Sequence, residues 1–594
     1  MNKVRIVKQV GRTLLPTLMG WWCLPLAAQV PAGATPGGAL PRVQPAVQPP
    51  ERQGDLFEVP RVYDRPLGLD EGPRIAVKAF KLQGAEDRPK HHVRVAEVQA
   101  ILEAARAAQP PQGFSINQLQ QAADKVAAYY REHGFILAQA FVPAQKVANG
   151  EVIVQVLEGH LSGVSVEGNK RYSARTLERP FKPLIDKPLD KDSIESALLT
   201  LTNYPGIAAF GVLGAGHDVG TTNLTLRVQS EDRLHLESVT DNYGTQYAGQ
   251  YREQVTLTIN DPLRQADQLK LTGLYALNSF SHSAHGAYGG AEYDIPLFSP
   301  NDSLRFVHIT NQYDVGAAAA VVASSGSNGN TRVDEIAYRH DFARTRLGSA
   351  SIDVAFNVKK ATFDAPPSTL FDDRLTTARI DAQWESIDTR FQGVDRATLS
   401  YTHGFNNLLG ALGAYDPNAT DSHVSRLGAS GEFNKLTLQL QRLQRITQYT
   451  SLVVRVDGQY TSDPLVSLEQ FSMGGPDSVR AYPVAELLAE KGGVASVELI
   501  SGAPGFAGRP AFGNHTWGQI LQFSLFVDYA NGRLNAPLTA TQDRSVSLSG
   551  AGGSIQFSLP GRVFARLDLA TPLTSRDPSN GRNLQYYFRL GVTF

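Results

Sequence analysis

Among 594 residues there is one cysteine, Cys23, and it falls in a stretch that reads as cleavable. The mature chain is therefore expected to hold no thiol, which excludes disulfides and thiolate metal sites. An excess of either charge is also missing: 56 Lys and Arg stand against 57 Asp and Glu, so nothing points to nucleic acid as a partner. Past residue 28 no apolar run reaches the ~18 residues that a membrane-spanning helix requires. The sequence has no Gly-x-Ser-x-Gly elbow, no His-Glu-x-x-His and no phosphate-binding loop. Neither enzymatic chemistry nor a cofactor is expected. His91-His92 has no third ligand at metal-binding spacing and reads as exposed polar residues ahead of a helix.

What is present begins with an export signal over 1–28. Lys3, Arg5, Lys8 and Arg12 form a basic region, 14–26 is mostly apolar, and Leu26-Ala27-Ala28 offers a small residue for cleavage. Gly20-Trp21-Trp22 ahead of Cys23 lacks the small residues of a lipidation site. Residues 29–73 carry Pro31, Pro36, Pro41, Pro45, Pro49, Pro50, Pro60, Pro66 and Pro73, and this composition predicts an extended periplasmic linker.

From 74 to 159 the periods predict strand, helix, helix, strand, strand. Ile75, Val77 and Phe80 mark the first strand, and Val95, Val98, Ile101, Leu102 and Ala105 recur at helical spacing. Ser115 is placed to cap a second helix that stops at Gly134. Strands over 135–142 and 151–157 follow, with a turn through Asn149-Gly150. The same order recurs over 160–230, with a strand at 161–167, helices at 174–185 and 191–203, and strands at 207–213 and 223–228. Two copies of one small α/β unit without evident sequence identity imply a structural repeat.

From Leu234 to Phe594 the period changes to two. The last segment puts Tyr586, Phe588, Leu590, Val592 and Phe594 on one face and Tyr587, Arg589, Gly591 and Thr593 on the other. A strand between lipid and a wet lumen needs that alternation. Sixteen such segments, the first near Leu234 and the last near Leu584, predict a mainly β chain with a 16-stranded transmembrane β-barrel over 231–594. The mean hydropathy of −0.22 agrees with this, because lumen-facing residues dilute lipid-facing ones. The longest interruption, 462–490, follows the eleventh candidate, and a loop of that length in a compact domain is usually functional.

Four stretches carry a resemblance. They are Tyr129-Tyr130-Arg131-Glu132-His133-Gly134-Phe135 with Phe141-Val142-Pro143-Ala144-Gln145 and Val156-Leu157-Glu158-Gly159; Asp241-Asn242-Tyr243-Gly244; the run from Phe471 to Tyr482; and Phe526-Val527-Asp528-Tyr529-Ala530. Together they resemble the two-partner secretion transporters, the TpsB or haemolysin activator/secretion family of the outer-membrane assembly-factor superfamily, over nearly the whole mature chain. The resemblance implies two periplasmic α/β POTRA domains, 74–159 and 160–230, ahead of the barrel. It also implies an outer-membrane pore that exports a secreted TpsA-type exoprotein, an adhesin, haemolysin or toxin, bound through the POTRA domains. Outer-membrane lipid and the barrel assembly machinery, which would read the terminal Phe594, complete the implied partners.

Gly474, Gly475, Val479, Arg480 and Tyr482 look like the family's loop signature, and Phe526 and Asp528 like its barrel-strand signature. The family pattern implies that the loop folds back into the barrel and that Arg480 pairs with Asp528, two charges that would be costly to bury singly. Ala481 and Ala530 replace signature glycines, which requires that neither backbone adopt a left-handed conformation. The family often has an N-terminal helix plugging the barrel; the prolines between 31 and 66 argue against a long one, while a short helix between Pro50 and Pro60 would fit. The competing readings are a factor that assembles other barrels, a class that usually has more POTRA units, and a passive porin, which has no use for the α/β repeats.

Overall fold

The computed structural model describes residues 30–41, 57–58, 73–278, 281–316, 326–342, 344–418, 423–536 and 543–594. The expected export signal, and all but two residues of the proposed short helix between Pro50 and Pro60, lie outside these. Those two, Phe57–Glu58, form a strand (β1) instead of helix. The extended-linker expectation also fails at 30–41. There, a 3-10 turn over Ala32–Ala34 leads into the four-residue helix α1, Pro36–Ala39. Pro36 sits in the first helical turn, where no amide proton is missed, and the Thr35 hydroxyl accepts from Gly38 N at 3.3 Å as an N-cap.

The first α/β unit comprises β2 (Ala79–Gln83), α2 (Val95–Ala107), α3 (Ile116–Glu132), β3 (Gln139–Phe141) and β4 (Glu151–Leu157). Its sheet order is β2-β4-β3. Ser115 and Gln118 form a reciprocal capping box at the start of α3, at 3.2 and 2.9 Å. Val98, Leu102, Ala123, Val126, Tyr130, Val152 and Val154 are buried together between helices and sheet. Asn149 and Gly150 both have positive φ, 57° and 79°, as a primed turn demands. The expected strand over 135–142 shrinks to β3 because Ile136 and Leu137 pack on the core of the next unit.

The second unit comprises β5 (His160–Glu167), α4 (Ala174–Glu178), α5 (Lys191–Thr202), β6 (Ile207–Ala215) and β7 (Thr221–Glu231). The helix expected over 174–185 ends at Glu178 and continues as a 3-10 segment, Arg179–Leu184, that contains Pro180 and Pro183; prolines cannot donate to the α ladder. The sheet order is β1-β6-β7-β5, so β1 lies on the outer edge of β6. The unit rests on one rim of the barrel, where Ala266 enters its core and Arg346 pairs with Glu195 at 3.3 Å.

Among the described residues sixteen antiparallel strands, Leu234–Asp241 through Gln585–Thr593, close into a barrel. The thirteenth, Leu521–Arg533, displays the two-residue period: Leu525, Val527 and Tyr529 are exposed outward while Phe526, Asp528 and Ala530 are buried inward. The sequence places its start near Trp517, but it begins four residues later because Trp517–Ile520 forms a capped helical turn, and Trp517 packs edge-on to Phe506 and Phe512.

The seam between first and last strands is short, with five residue pairs from Arg589↔Asp241 to Thr593↔Glu237. Asn242 extends it with its side chain. Its amide nitrogen donates to Tyr586 O at 2.9 Å and its amide oxygen accepts from Phe588 N at 2.8 Å, imitating one more backbone pair. Phe594, at the other end, exchanges hydrogen bonds with Leu236 and leaves its ring exposed. Asn242→Ala should lower the temperature at which the compact, fast-migrating form is lost on gels, since two half-buried backbone groups lose partners, at up to about 1–3 kcal/mol each. An unchanged transition would show that the seam does not depend on this side chain.

Candidate functional site

The residues between the eleventh strand, Thr450–Tyr460, and the twelfth, Lys491–Gly502, fold into the barrel. A 3-10 turn, Ser467–Glu469, leads to a hairpin of Phe471–Met473 with Leu487–Ala489. Gly474 and Gly475 follow with φ of 96° and 99°, a region that side chains oppose. A Cβ on Gly474 would lie 2.3 Å from Pro483 O, so glycine lets the tip double back. Val479, Ala481 and Tyr482 then pack with Phe526, Ala530, Leu548 and Ala570 of the wall. Neither Ala481 nor Ala530 has positive φ, which explains why alanine is accepted there, and Gly550 leaves the space that the Ala481 methyl fills.

Arg480 is 4% exposed and Asp528 0%. The guanidinium donates from Nε and Nη2 to the two Asp528 oxygens, each at 2.8 Å, and the Arg480 backbone N reaches the same carboxylate at 3.1 Å. Nη1 donates to Glu498 at 2.7 Å and Nη2 to Ser496 Oγ at 3.1 Å. The Phe526 ring lies 3.3 Å from the guanidinium carbon, adding a cation–π contact. Arg566 joins Glu498 and Asp568 at 3.0 and 2.8 Å. This cluster of two cations and three carboxylates is offset by a second at the seam, where Arg252 and Arg589 share Asp241 at 2.7 and 3.1 Å. Tyr243 lies between them, under Arg589 and edge-on to Tyr587. Tyr587 in turn donates to Tyr482 O at 2.6 Å. The loop tip thus touches the last strand directly and reaches Tyr243, just past the first strand, through Tyr587.

Two anchors at the loop's roots were not foreseen. Glu469 is buried between Lys359, at 2.7 Å, and Lys435. Glu490 pairs with Arg426 at 2.6 Å, and the Gln459 amide donates to Glu469 O and Glu490 O at 3.0 and 2.9 Å. In one sequence, an inward lysine on a barrel strand looks like any lumen-facing charge, so no local signal marks these pairs. The segment 30–41 fills space beside the roots. Ala34 packs with Tyr247, Tyr313, Phe363 and Phe371, Tyr313 donates to Ala34 O at 2.8 Å, and a Cβ on Gly37 would lie 1.9 Å from Ser467 O.

The motif residues of the first unit are structural. Tyr130 is fully buried, and burial pushes its phenol up to about 12. Glu158 accepts a bidentate bond from Arg88, at 3.2 and 2.8 Å, and Gly159 turns with positive φ. His91 packs against Phe135 and lies 3.8 Å from Asp190 of the second unit.

The model of the haemolysin secretion/activation protein family ShlB/FhaC/HecB matches residues 220–555, and that of the ShlB-type POTRA domain matches 76–159. The chain belongs to the haemolysin secretion/activation family. Relatives include the heme/hemopexin transporter protein HuxB of Haemophilus influenzae, 24% identical over 490 residues and 81% of each chain. The hemolysin transporter protein ShlB of Serratia marcescens is 24% identical over 383 residues, 63% of this chain and 64% of its own. In fold, CdiB from Escherichia coli superposes with a TM-score of 0.67 at 20% identity, covering 91% of this chain and 94% of that one. As a member of this family the chain is an outer-membrane translocator of two-partner secretion, with its POTRA units in the periplasm. Of the three readings of the sequence, family membership selects this one over the assembly factor and the porin.

Removing either partner of a buried ion pair costs roughly 3 to 5 kcal/mol because the other charge is stranded. Arg480→Ala and Asp528→Ala should each reduce export, and the double substitution should cost little more than either single one. Additive losses would mean that the two residues act separately.

Proposed function

We propose that the chain exports a large TpsA-type exoprotein and that the lumenal loop, latched by Arg480 and Asp528, is its gate. The unfolded partner adds itself as a strand to an exposed POTRA edge, then passes through the barrel once the loop tip leaves the wall. The periplasm supplies no nucleotide and the chain breaks no bond, so direction comes from the partner folding outside. Phe594 is the residue that the barrel assembly machinery reads, and the outward apolar stripe of each strand contacts lipid.

The observation that carries this reading is the doubly occupied lumen. The loop and the segment 30–41 meet there at Ser467 and Gly37, both held by noncovalent contacts that can exchange. A barrel serving passive diffusion has no use for such a plug, nor for periplasmic strand edges.

Deleting 74–159 or 160–230 should abolish secretion of the partner while the barrel still reaches the outer membrane, as judged by its heat-dependent migration. Retained secretion after either deletion would favour a barrel acting alone.

A further inference from the structure

On the outer wall of the barrel the strand register sets three cations side by side. Arg332 of the sixth strand, Asn328–Asp341, lies opposite Lys360 of the seventh, Gly348–Ala365, and Lys360 lies opposite Arg374 of the eighth, Ser368–Asp388. All three are exposed, and alternation fixes their face. Thr331, Ala361 and Asp373, each next to one of them in sequence, are buried inward, while Ile336, Val354 and Ile380, an even number of residues away, are exposed outward. The row stands at the end of the strands away from the second POTRA unit, which pairs with Arg346 in the turn before the seventh strand. Along that strand Val354, Phe356 and Val358 lead up to Lys360 on the same face. The row therefore ends the apolar stripe on the extracellular side, at the level of lipid headgroups.

Like charges directly opposite one another on neighbouring strands repel, so a row of three calls for an anion. The chain supplies only part of what is needed. Asp334, two residues from Arg332, accepts from its Nε at 2.7 Å and its Nη2 at 3.4 Å, and lies 2.7 Å from His308 Nδ1. Asp372, two residues from Arg374, accepts from its Nε and Nη2 at 3.1 and 2.7 Å. Both carboxylates grip the same edge of the guanidinium fork. That fixes the two arginines and leaves Nη1 of each without an acceptor among the described residues. Lys360, between them, has no ion pair among the described residues. The unused donors are spread across two strand spacings, roughly 10 Å. Arginine takes phosphate oxygens through its fork and lysine takes them as a point charge. A ligand with acyl chains beside its phosphates satisfies the row and the stripe below it at once, whereas free phosphate satisfies the row alone.

We propose that Arg332, Lys360 and Arg374 form a site on the outer wall for the phosphates of an acylated, phosphorylated glycolipid of the outer leaflet, whose chains lie along Val354, Phe356 and Val358. The bound lipid neutralises the row and ties the sixth, seventh and eighth strands together at the extracellular surface.

The test uses the full-length protein in detergent, titrated with lipid A carrying two phosphates, with bound lipid counted by native mass spectrometry. The wild type should retain this lipid about tenfold or more better than lipid A stripped of both phosphates. Lys360→Gln should weaken retention about fivefold, and the triple variant Arg332→Gln, Lys360→Gln, Arg374→Gln should bring it to the level of the stripped lipid. Arg390→Gln, which removes an exposed cation from the turn after the eighth strand, should bind as the wild type does. Heat-dependent migration checks that each variant barrel is closed. Retention by the triple variant equal to that of the wild type, or equal retention of the two lipids by the wild type, would overturn the proposal. Displacement of the lipid by an equal concentration of inorganic pyrophosphate would overturn its assignment to a lipid.

Discussion

A guanidinium removed from water has to find carboxylates and hydrogen-bond acceptors around its whole fork, or its desolvation outweighs what it gains. Arg480 meets that requirement at one place in the barrel. Asp528 binds it bidentately, Glu498 and Ser496 each take a further donor, and Phe526 faces its plane. The rest of the lumen follows from this demand. Gly474 and Gly475 turn the loop so that its tip reaches the wall, Gly550 makes room for Ala481, and Arg566 and Asp568 hold Glu498 in place.

The latch is one of three ionic fastenings on the same loop. Glu469 and Glu490 tie its two roots to Lys359, Lys435 and Arg426, so release of the tip leaves the base attached. Tyr482 and Tyr587 connect the tip to the last strand, whose seam with the first is only five pairs long and is extended by the Asn242 side chain. The loop tip is thus bonded to the strand that closes the barrel.

Much of this was legible in the residues because a strand between lipid and water has to alternate. The sixteen strands could be counted from that constraint, and the Ser115 cap and the Asn149-Gly150 turn from local chemistry. Ion-pair partners were not legible from period. Arg480 and Asp528 were matched through motif resemblance, while Glu469 with Lys359 and Lys435 had no motif to mark them. Tertiary packing also overrode local pattern: Ile136 and Leu137 have strand character but are drawn into the neighbouring unit. Residues 30–41 read as linker because their proline and glycine content has no helical period. They nevertheless fold into two short turns against barrel aromatics, since Thr35 caps and Pro36 starts what the composition conceals.

The central claim is that the Arg480–Asp528 contact keeps the loop seated in the conduit. Single-channel recording of the Asp528→Ala barrel in planar bilayers tests it most directly. Loss of the carboxylate should unseat the tip and give larger or noisier conductance than the wild type at the same voltage and salt. Conductance indistinguishable from wild type, from a barrel that still shows heat-dependent migration, would contradict the account.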